Sequence, residues 1–336
     1  MIFFRSRMFV LTVVGVLFFL CVSLHSESPT DQSDIVSIKS LDGKLRVEIN
    51  GELFTEYVYE DTPRPILYPV IGPHGIAMTR NFPMRKDVKG EAHDHPHHRS
   101  LWFTHGLVNG VDFWSEGSKT GKIVQDKILK TTGGPKRGSI QTSNKWIGPD
   151  GKVRCTDTRT TGFEVLPDGR IIDFEITIHA SEGDLTLGDT KEGSMAIRTH
   201  PNLRLSNDPG NGVTTANGQA LNSEGVSGKD LWGKRAKWVD YWGKIDEKTV
   251  GVAIFDHPDN PRYPTWWHAR DYGLIAANPF GAHDFEGKPK GAGDMVIKAG
   301  ESVTFRWRFL FHQGSAEQAK IALRYRQYAE PKPVSK

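Results

Sequence analysis

Leu166-Pro167-Asp168-Gly169-Arg170-Ile171-Ile172-Asp173-Phe174-Glu175-Ile176-Thr177-Ile178-His179 reads as a turn followed by a strand. Phe174, Ile176 and Ile178 alternate with Asp173, Glu175 and Thr177, which gives a strand one buried and one wet face. The Asp168-Gly169 pair just before it is a hairpin signal. Outward from this stretch, short segments rich in Val, Ile, Thr, Phe and Tyr recur between Gly, Pro, Asn and Asp. They are Ile35 to Lys39, Leu45 to Asn50, Leu53 to Tyr59, Ile66 to Ile71, Ile123 to Thr132, Met195 to Thr199, Trp238 to Trp242, Val250 to Phe255 and Val303 to His312. Asn50-Gly51 joins the second and third of the chain's strands in the same way.

Helical signals are few. One helix is expected at the C-terminus, where Ser315 and Gln318 form a capping box ahead of Ile321, Leu323, Tyr325 and Tyr328. Many strands and one helix predict an all-β protein, a large antiparallel sandwich. Asn202 to Lys234, rich in Gly, Asn, Ser and Asp, reads as a long loop. The aromatic run after it, Trp232, Trp238, Tyr241 and Trp242, suits the wall of a cleft.

The N-terminus has Arg5 and Arg7, an apolar run from Met8 to Leu20 and small polar residues after it. This is the pattern of a secretory signal peptide over residues 1–26, too short in its apolar part for a spanning helix. Expected is a protein exported to the periplasm or the extracellular space, with no membrane attachment after cleavage. Residues 27–330 then form a single domain and 331–336 a frayed tail. Loss of Arg5 and Arg7 lowers the formal charge from +3 to +1. No basic stripe is present to neutralise phosphates, which excludes a nucleic-acid partner. Of two cysteines only Cys155 would remain, so burial alone must hold the fold.

Chemistry concentrates between Glu91 and Glu116, where His93, His95, His97, His98 and His105 place five of the thirteen histidines within thirteen residues. Histidine titrates near neutrality and serves as donor, acceptor or metal ligand. As a metal site, His95 and His97 would share one face of a strand, although Pro96 weakens a regular strand. No carboxylate follows at cupin spacing, no His-Glu-x-x-His motif occurs and no spaced cysteines exist. No cofactor is predicted, and a divalent metal on His95 and His97 stays open as an alternative. As an acid/base site, His97 or His98 beside Arg99 and Trp102 supplies an imidazole, an oxygen clamp and an apolar platform. Aromatic rings backed by Arg, Asp and His suit a sugar cleft, in which rings stack C–H faces and polar groups orient hydroxyls.

A second constellation runs from Asp256 to Gly281, with Pro258, Pro261 and Pro264 stiffening a mount for Trp266, Trp267, His268, Arg270 and Asn278. Glu192, Asp240 and Glu286 are carboxylates that could partner a histidine. Asp240 stands out, because burial among Trp238, Tyr241 and Trp242 demands a raised pKa or an Arg partner. No phosphate loop, dinucleotide fingerprint or nucleophile elbow is present.

His95-Pro96-His97-His98-Arg99-Ser100-Leu101-Trp102-Phe103, Asn109-Gly110-Val111-Asp112-Phe113-Trp114, Asn260-Pro261-Arg262-Tyr263-Pro264 and Trp267-His268-Ala269-Arg270 resemble a secreted bacterial family of unknown function often labelled methane oxygenase PmoA-like. A methane monooxygenase membrane subunit needs several spanning helices, so that label conflicts with this sequence. The order of features is also similar to galactose-mutarotase-like supersandwiches. That resemblance implies a β-supersandwich with Arg80-Asn81 and His97 or His98 in the early site positions, and His268 or a late carboxylate as partner. The combined expectation is a carbohydrate-active or carbohydrate-binding protein with a small-molecule or oligosaccharide ligand. In it His97, His98, His268 and Asp240 would be catalytic, while Arg80, Arg99, Trp102, His105, Trp114, Trp267, Arg270 and Asn278 would bind substrate. The alternatives are a non-catalytic glycan-binding module and a His-ligated metal-dependent oxygenase or hydrolase.

Overall fold

The computed structural model describes residues 1–4 and 34–330. The expected signal sequence and C-terminal tail therefore lie outside the described residues, apart from the first four positions. The strands in chain order are β1 (Ile35–Leu41), β2 (Lys44–Ile49), β3 (Glu52–Val58), β4 (Ile66–Val70), β5 (Leu101–His105), β6 (Lys122–Thr132), β7 (Gly134–Pro135), β8 (Arg137–Ile147), β9 (Val153–Leu166) and β10 (Gly169–His179). They continue with β11 (Leu185–Leu187), β12 (Gly193–Arg198), β13 (Gln219–Asn222), β14 (Trp238–Ile245), β15 (Lys248–Asp256), β16 (Trp266–Ala269), β17 (Leu274–Asn278), β18 (Met295–Ile297) and β19 (Ser302–Gln313). Two helices join them, α1 (Ala282–Glu286) and α2 (Ile321–Ala329).

Antiparallel pairing builds a nine-stranded sheet in the order β16-β17-β12-β5-β4-β3-β2-β1-β7 and an eight-stranded sheet in the order β13-β14-β15-β19-β10-β9-β8-β6. This is the all-β sandwich expected from the alternation. One core, including Val47, Phe103, Met195, Ile197, Trp267, Ile176 and Phe309, fills the space between the sheets. A second cluster covers the outer face of the eight-stranded sheet, where α2 packs Ile321 and Tyr325 over Trp238, Phe255 and Leu310. A third, with Trp102, Trp114, Ala196, Leu274 and Ala276, lies on the outer face of the nine-stranded sheet.

The local signals act as their chemistry requires. Asn50 and Gly51 both have positive φ, 53° and 83°, in the β2–β3 hairpin. Ser315 and Gln318 make the reciprocal capping-box bonds, Ser315 N–H to Oε1 at 2.8 Å and Gln318 N–H to the Ser315 hydroxyl at 3.3 Å, but these close the turn that precedes α2, which itself starts after Lys320 with no side-chain cap. The β9–β10 hairpin turns through Pro167 and Asp168, with Gly169 already paired to Leu166. Gly169 is needed for a different reason: a Cβ there would come within 2.6 Å of the Phe311 carbonyl oxygen on β19.

β8 and β9, two of the longest strands, carry polar residues toward the core. Asp157 accepts from Arg159 Nε at 3.0 Å and Nη2 at 2.8 Å, from Asn144 Nδ2 at 2.6 Å and from the Trp146 indole at 2.7 Å. Both ions are buried. Burial alone would lower the Arg159 pKa, but the Asp157 charge and its hydrogen bonds outweigh that and raise it. The stretch between Asn202 and Lys234 is largely loop, as expected, and contributes β13 to the edge of the second sheet. Of the aromatic run beyond it, Trp242 lines a cleft with Asn217, Leu221, Thr249 and Gln318 on the outer face of the eight-stranded sheet, whereas Trp238 is buried on that face and Tyr241 in the inter-sheet core.

Candidate functional site

Strand alternation decides which side chains reach the outer face of the nine-stranded sheet. On β5, Leu101 and Phe103 point into the core and Trp102 points out; on β16, Trp267 and Ala269 point in and His268 points out. The pairing puts His268 opposite Ala276, Ala276 opposite Ala196, and Ala196 opposite Trp102. This row spans three strand spacings, about 14 Å from His268 to Trp102. Two alanines form its middle.

At the Trp102 end the histidine loop folds over the sheet. His98 lies nearly parallel to Trp102 with centroids 5.5 Å apart, and His95 stacks on His98 at 4.8 Å. Tyr272, from the β16–β17 turn, stacks on His95 at 5.0 Å. His97 meets His98 edge-on at 4.5 Å. Backbone geometry alone would not hold this loop, and buried arginines do. Arg80 donates to the carbonyls of Phe82, Ala92, His95 and His98 and pairs with Asp94. Arg64 donates to the carbonyls of His97, Phe113, Trp114 and Ser115, tying the histidine loop to the segment carrying Trp114. Arg198, outward on β12, donates to Asp94 at 2.8 Å and to His98 Nδ1 at 3.1 Å.

These contacts fix protonation. Arginine only donates, so His98 Nδ1 is the acceptor and the proton sits on Nε2. Burial, with the Arg198 charge and its neighbouring histidines, pushes the His98 pKa well below its ordinary value. Burial and His95 push His97 down to about 4. Burial tends to raise Asp94, but the His95 hydrogen bond and the charges of Arg198 and Arg80 hold its carboxyl far below the usual carboxylate range. Arg198 is lowered to about 9 by burial and by the repulsion of Arg80.

At the other end of the row, His268 Nδ1 lies 2.9 Å from the Lys191 carbonyl oxygen. A carbonyl only accepts, so Nδ1 carries the proton and Nε2 presents a lone pair. That Nε2 is buried and has no hydrogen-bond partner. Burial, only partly offset by the Lys191 carbonyl, lowers His268 to about 4. The indole N–H groups of Trp102 and Trp114 are likewise buried and unpartnered. Arg270, two residues from His268 on the same face, is half-buried with its guanidinium 5.3 Å from the Tyr272 ring. Glu192 lies beside Lys191, their side chains 3.1 Å apart, and its charge is felt by both His97 and Tyr272.

The structure therefore brings His97, His98 and His268 to one face with Arg270, but corrects other expected site residues. Asp240 is on the outer face of the other sheet, 2.9 Å from His312 Nε2. Its partner is a histidine rather than an arginine, and it is no part of this site. Trp267 points into the core and donates to the Ala236 carbonyl at 2.9 Å. His105 has the opposite parity to Trp102; it is buried against Phe280 at 4.4 Å with Nε2 donating to the Gly188 carbonyl at 2.8 Å. Trp102 and Trp114 lie beneath the histidines, so neither presents a free face to a ligand. Arg80 grips the loop, Arg99 makes a two-pronged pair with Glu116 at 2.7 and 2.8 Å, and Asn278 is spent on the Thr190 carbonyl and the Phe280 N–H. His95 is 3.0 Å from Asp94. Among the described residues no group of three His, Cys, Asp or Glu side chains is placed to hold a metal ion.

Residues that sequence reasoning missed are Arg64 and Arg198, while Asp94 and Tyr272 fell inside the two chemistry-bearing stretches without a role of their own. Arg198 carried a signal: it ends an apolar strand in phase with Ala196, a charge that burial obliges to find partners.

Among solved structures, the chain is similar to a Glycoside Hydrolase Family 97 enzyme in complex with acarbose from Pseudoalteromonas sp. strain K8, at 12% identity and a TM-score of 0.33, over 83% of this chain and 34% of that one. It thus spans about a third of the length of that enzyme. It is also similar to a galactose mutarotase related enzyme from Lactobacillus acidophilus (11% identity, TM-score 0.30, 82% of this chain and 97% of that one). A galactose mutarotase-like protein from Lactobacillus casei ATCC 334 matches at 8% identity and a TM-score of 0.32, over 82% of this chain and 100% of that one. No curated protein matches. The matching family model covers residues 44–326, and the chain belongs to that family, described as Family of unknown function (DUF6807).

Proposed function

We propose that the outer face of the nine-stranded sheet binds a carbohydrate or sugar derivative and carries out acid/base chemistry on it, with His268 as proton acceptor. The observation that carries this reading is the buried, unpartnered Nε2 of His268, held as an acceptor by the bond from Nδ1 to Lys191. A buried acceptor left unmatched costs about 1–3 kcal/mol, which a ligand donor would recover. A sugar hydroxyl supplies that donor. Half-buried Tyr272 and His97 give the aromatic surface for its C–H face.

In this mechanism His268 takes a proton from a hydroxyl or from a carbon next to a carbonyl. His98, at the far end of the row, holds its proton on Nε2 and works as a neutral hydrogen-bond donor that orients a further ring of an oligosaccharide. Both rings are uncharged at neutral pH, since burial lowers His268 to about 4 and holds His98 well below its ordinary value. Activity is expected to be flat on the alkaline side and to fall as the pH drops through the lowered His268 value.

The test is NMR screening of mono- and oligosaccharides for anomeric exchange, elimination or bond cleavage. His268→Ala should cost about 10²-fold or more in turnover, with an unchanged near-UV circular dichroism spectrum. Turnover that survives in both His268→Ala and His98→Ala would sink the assignment. Binding without turnover in the wild-type protein would instead make the face a glycan-binding module. Export belongs to the same proposal, and N-terminal sequencing of the protein recovered from periplasm or medium tests cleavage near residue 26.

A further inference from the structure

We infer that the saccharide bound at this face carries a carboxylate, as a uronic acid residue does, and that Arg270 receives it; the inference rests on the carbohydrate reading above. The ion pairs around the histidines are uneven. Asp94 serves both Arg80 and Arg198, and Glu116 serves both Arg64 and Arg99. Glu192 is taken by Lys191. The other nearby acids are spent on backbone amides: Glu91 accepts from the N–H groups of Asn81 and Phe82, Asp112 from those of Trp114 and Ser115. Asp271, next in sequence to Arg270, pairs with Lys229 at 3.3 Å and accepts from Ser206. Among the described residues no carboxylate oxygen comes within 4.0 Å of the Arg270 guanidinium, which leaves its planar fork for an incoming anion. Such a fork matches a carboxylate with two parallel hydrogen bonds.

The position of Arg270 defines what else the anion must bring. Arg270 and His268 are two apart and point to the same side, which sets their Cα atoms about 7 Å apart. His268 offers a lone pair at Nε2. A carboxylate cannot satisfy a lone pair, and a hydroxyl does not match a bare guanidinium as well as an oxyanion does. One ligand that satisfies both carries a carboxylate and a hydroxyl a few ångströms apart on a rigid frame, which is the pattern of a sugar acid.

The experiment is calorimetric titration of the full mature protein with tetrasaccharides of galacturonate, mannuronate and hyaluronate, each beside its methyl ester, and with cellotetraose, maltotetraose, glucuronate and glucose 6-sulfate at constant ionic strength. At least one acid should bind about tenfold or more tightly than its ester, the equivalent of one charge-assisted pair. Arg270→Gln should bring that acid and its ester within about twofold of each other, chiefly by weakening the acid. Neutral sugars or esters binding as well as the acids would overturn the charge assignment and leave the carbohydrate reading standing. Failure of every saccharide to bind would overturn both. Glucose 6-sulfate matching glucuronate would assign the fork to a sulfate ester instead and overturn the carboxylate.

Discussion

Arg159→Met is expected to destabilise the protein by about 3–5 kcal/mol, because it leaves the Asp157 carboxylate buried and uncompensated between the sheets. The methionine fills much of the same space, so lost packing is a small part of the effect. Asn144 and Trp146 still donate to Asp157, which supplies dipoles but no countercharge. Urea unfolding followed by tryptophan fluorescence measures the change. The double variant Asp157→Asn with Arg159→Met should recover part of the loss, since replacing both ions removes the charge that burial penalises. A single variant within about 1 kcal/mol of wild type would show that water reaches the pair.

Acid should unfold the protein well above the range where carboxylates alone titrate. His97, His105 and His268 are each lowered to about 4 in the fold, with burial the main cause, and burial also holds His98 well below its ordinary value. Unfolded, all four return to about 6.5. A depressed folded pKa gives stability that is present above 6.5 and lost as the pH falls through about 4. Asp256 has the opposite sign: burial raises it to about 7, so it favours the fold at low pH and loses that contribution as the pH rises toward 7. Between these limits unfolding takes up roughly four protons on histidines and releases one from Asp256. The slope is then about 4 kcal/mol per pH unit, at about 1.4 per proton, with half-exposed His97 contributing least. Two pH units remove an amount comparable to the whole stability of a domain. Denaturant titrations at pH 7, 6 and 5 measure this, and His105→Gln, which keeps a donor for the Gly188 carbonyl, should lower the slope by about one proton. A stability flat from pH 7 to 5 would show that these rings are already charged in the fold.

The fold was legible where apolar residues alternate in step with the buried face, as in β10 and most of β19, or run on through a strand buried on both faces, as in β14 and β15. It was hidden in β8 and β9, whose inward positions Thr142, Asn144, Asp157, Arg159 and Thr161 are polar. A strand facing a hydrogen-bonded polar cluster loses the pattern by which strands are recognised. The two halves of the site could be found because histidines and tryptophans cluster in sequence. Their facing could not, since one step along a strand reverses it. Thus His268 points outward and its neighbour Trp267 inward, and Trp102 and His105, three apart in β5, had to part company. Arg80 and Arg64 hide their role differently: each binds carbonyls distant in sequence, and no spacing rule announces such a clamp.

That clamp bears on how the site can change over time. Arg80 and Arg64 grip main-chain oxygens, which every amino acid possesses, so the path of the histidine loop depends little on the side chain at position 97. That position can be exchanged without dismantling its support, whereas His95 is held in the stack between His98 and Tyr272. The loop works as a fixed rack on which recognition can be swapped piece by piece, and related chains would diversify what they bind there while keeping both arginines.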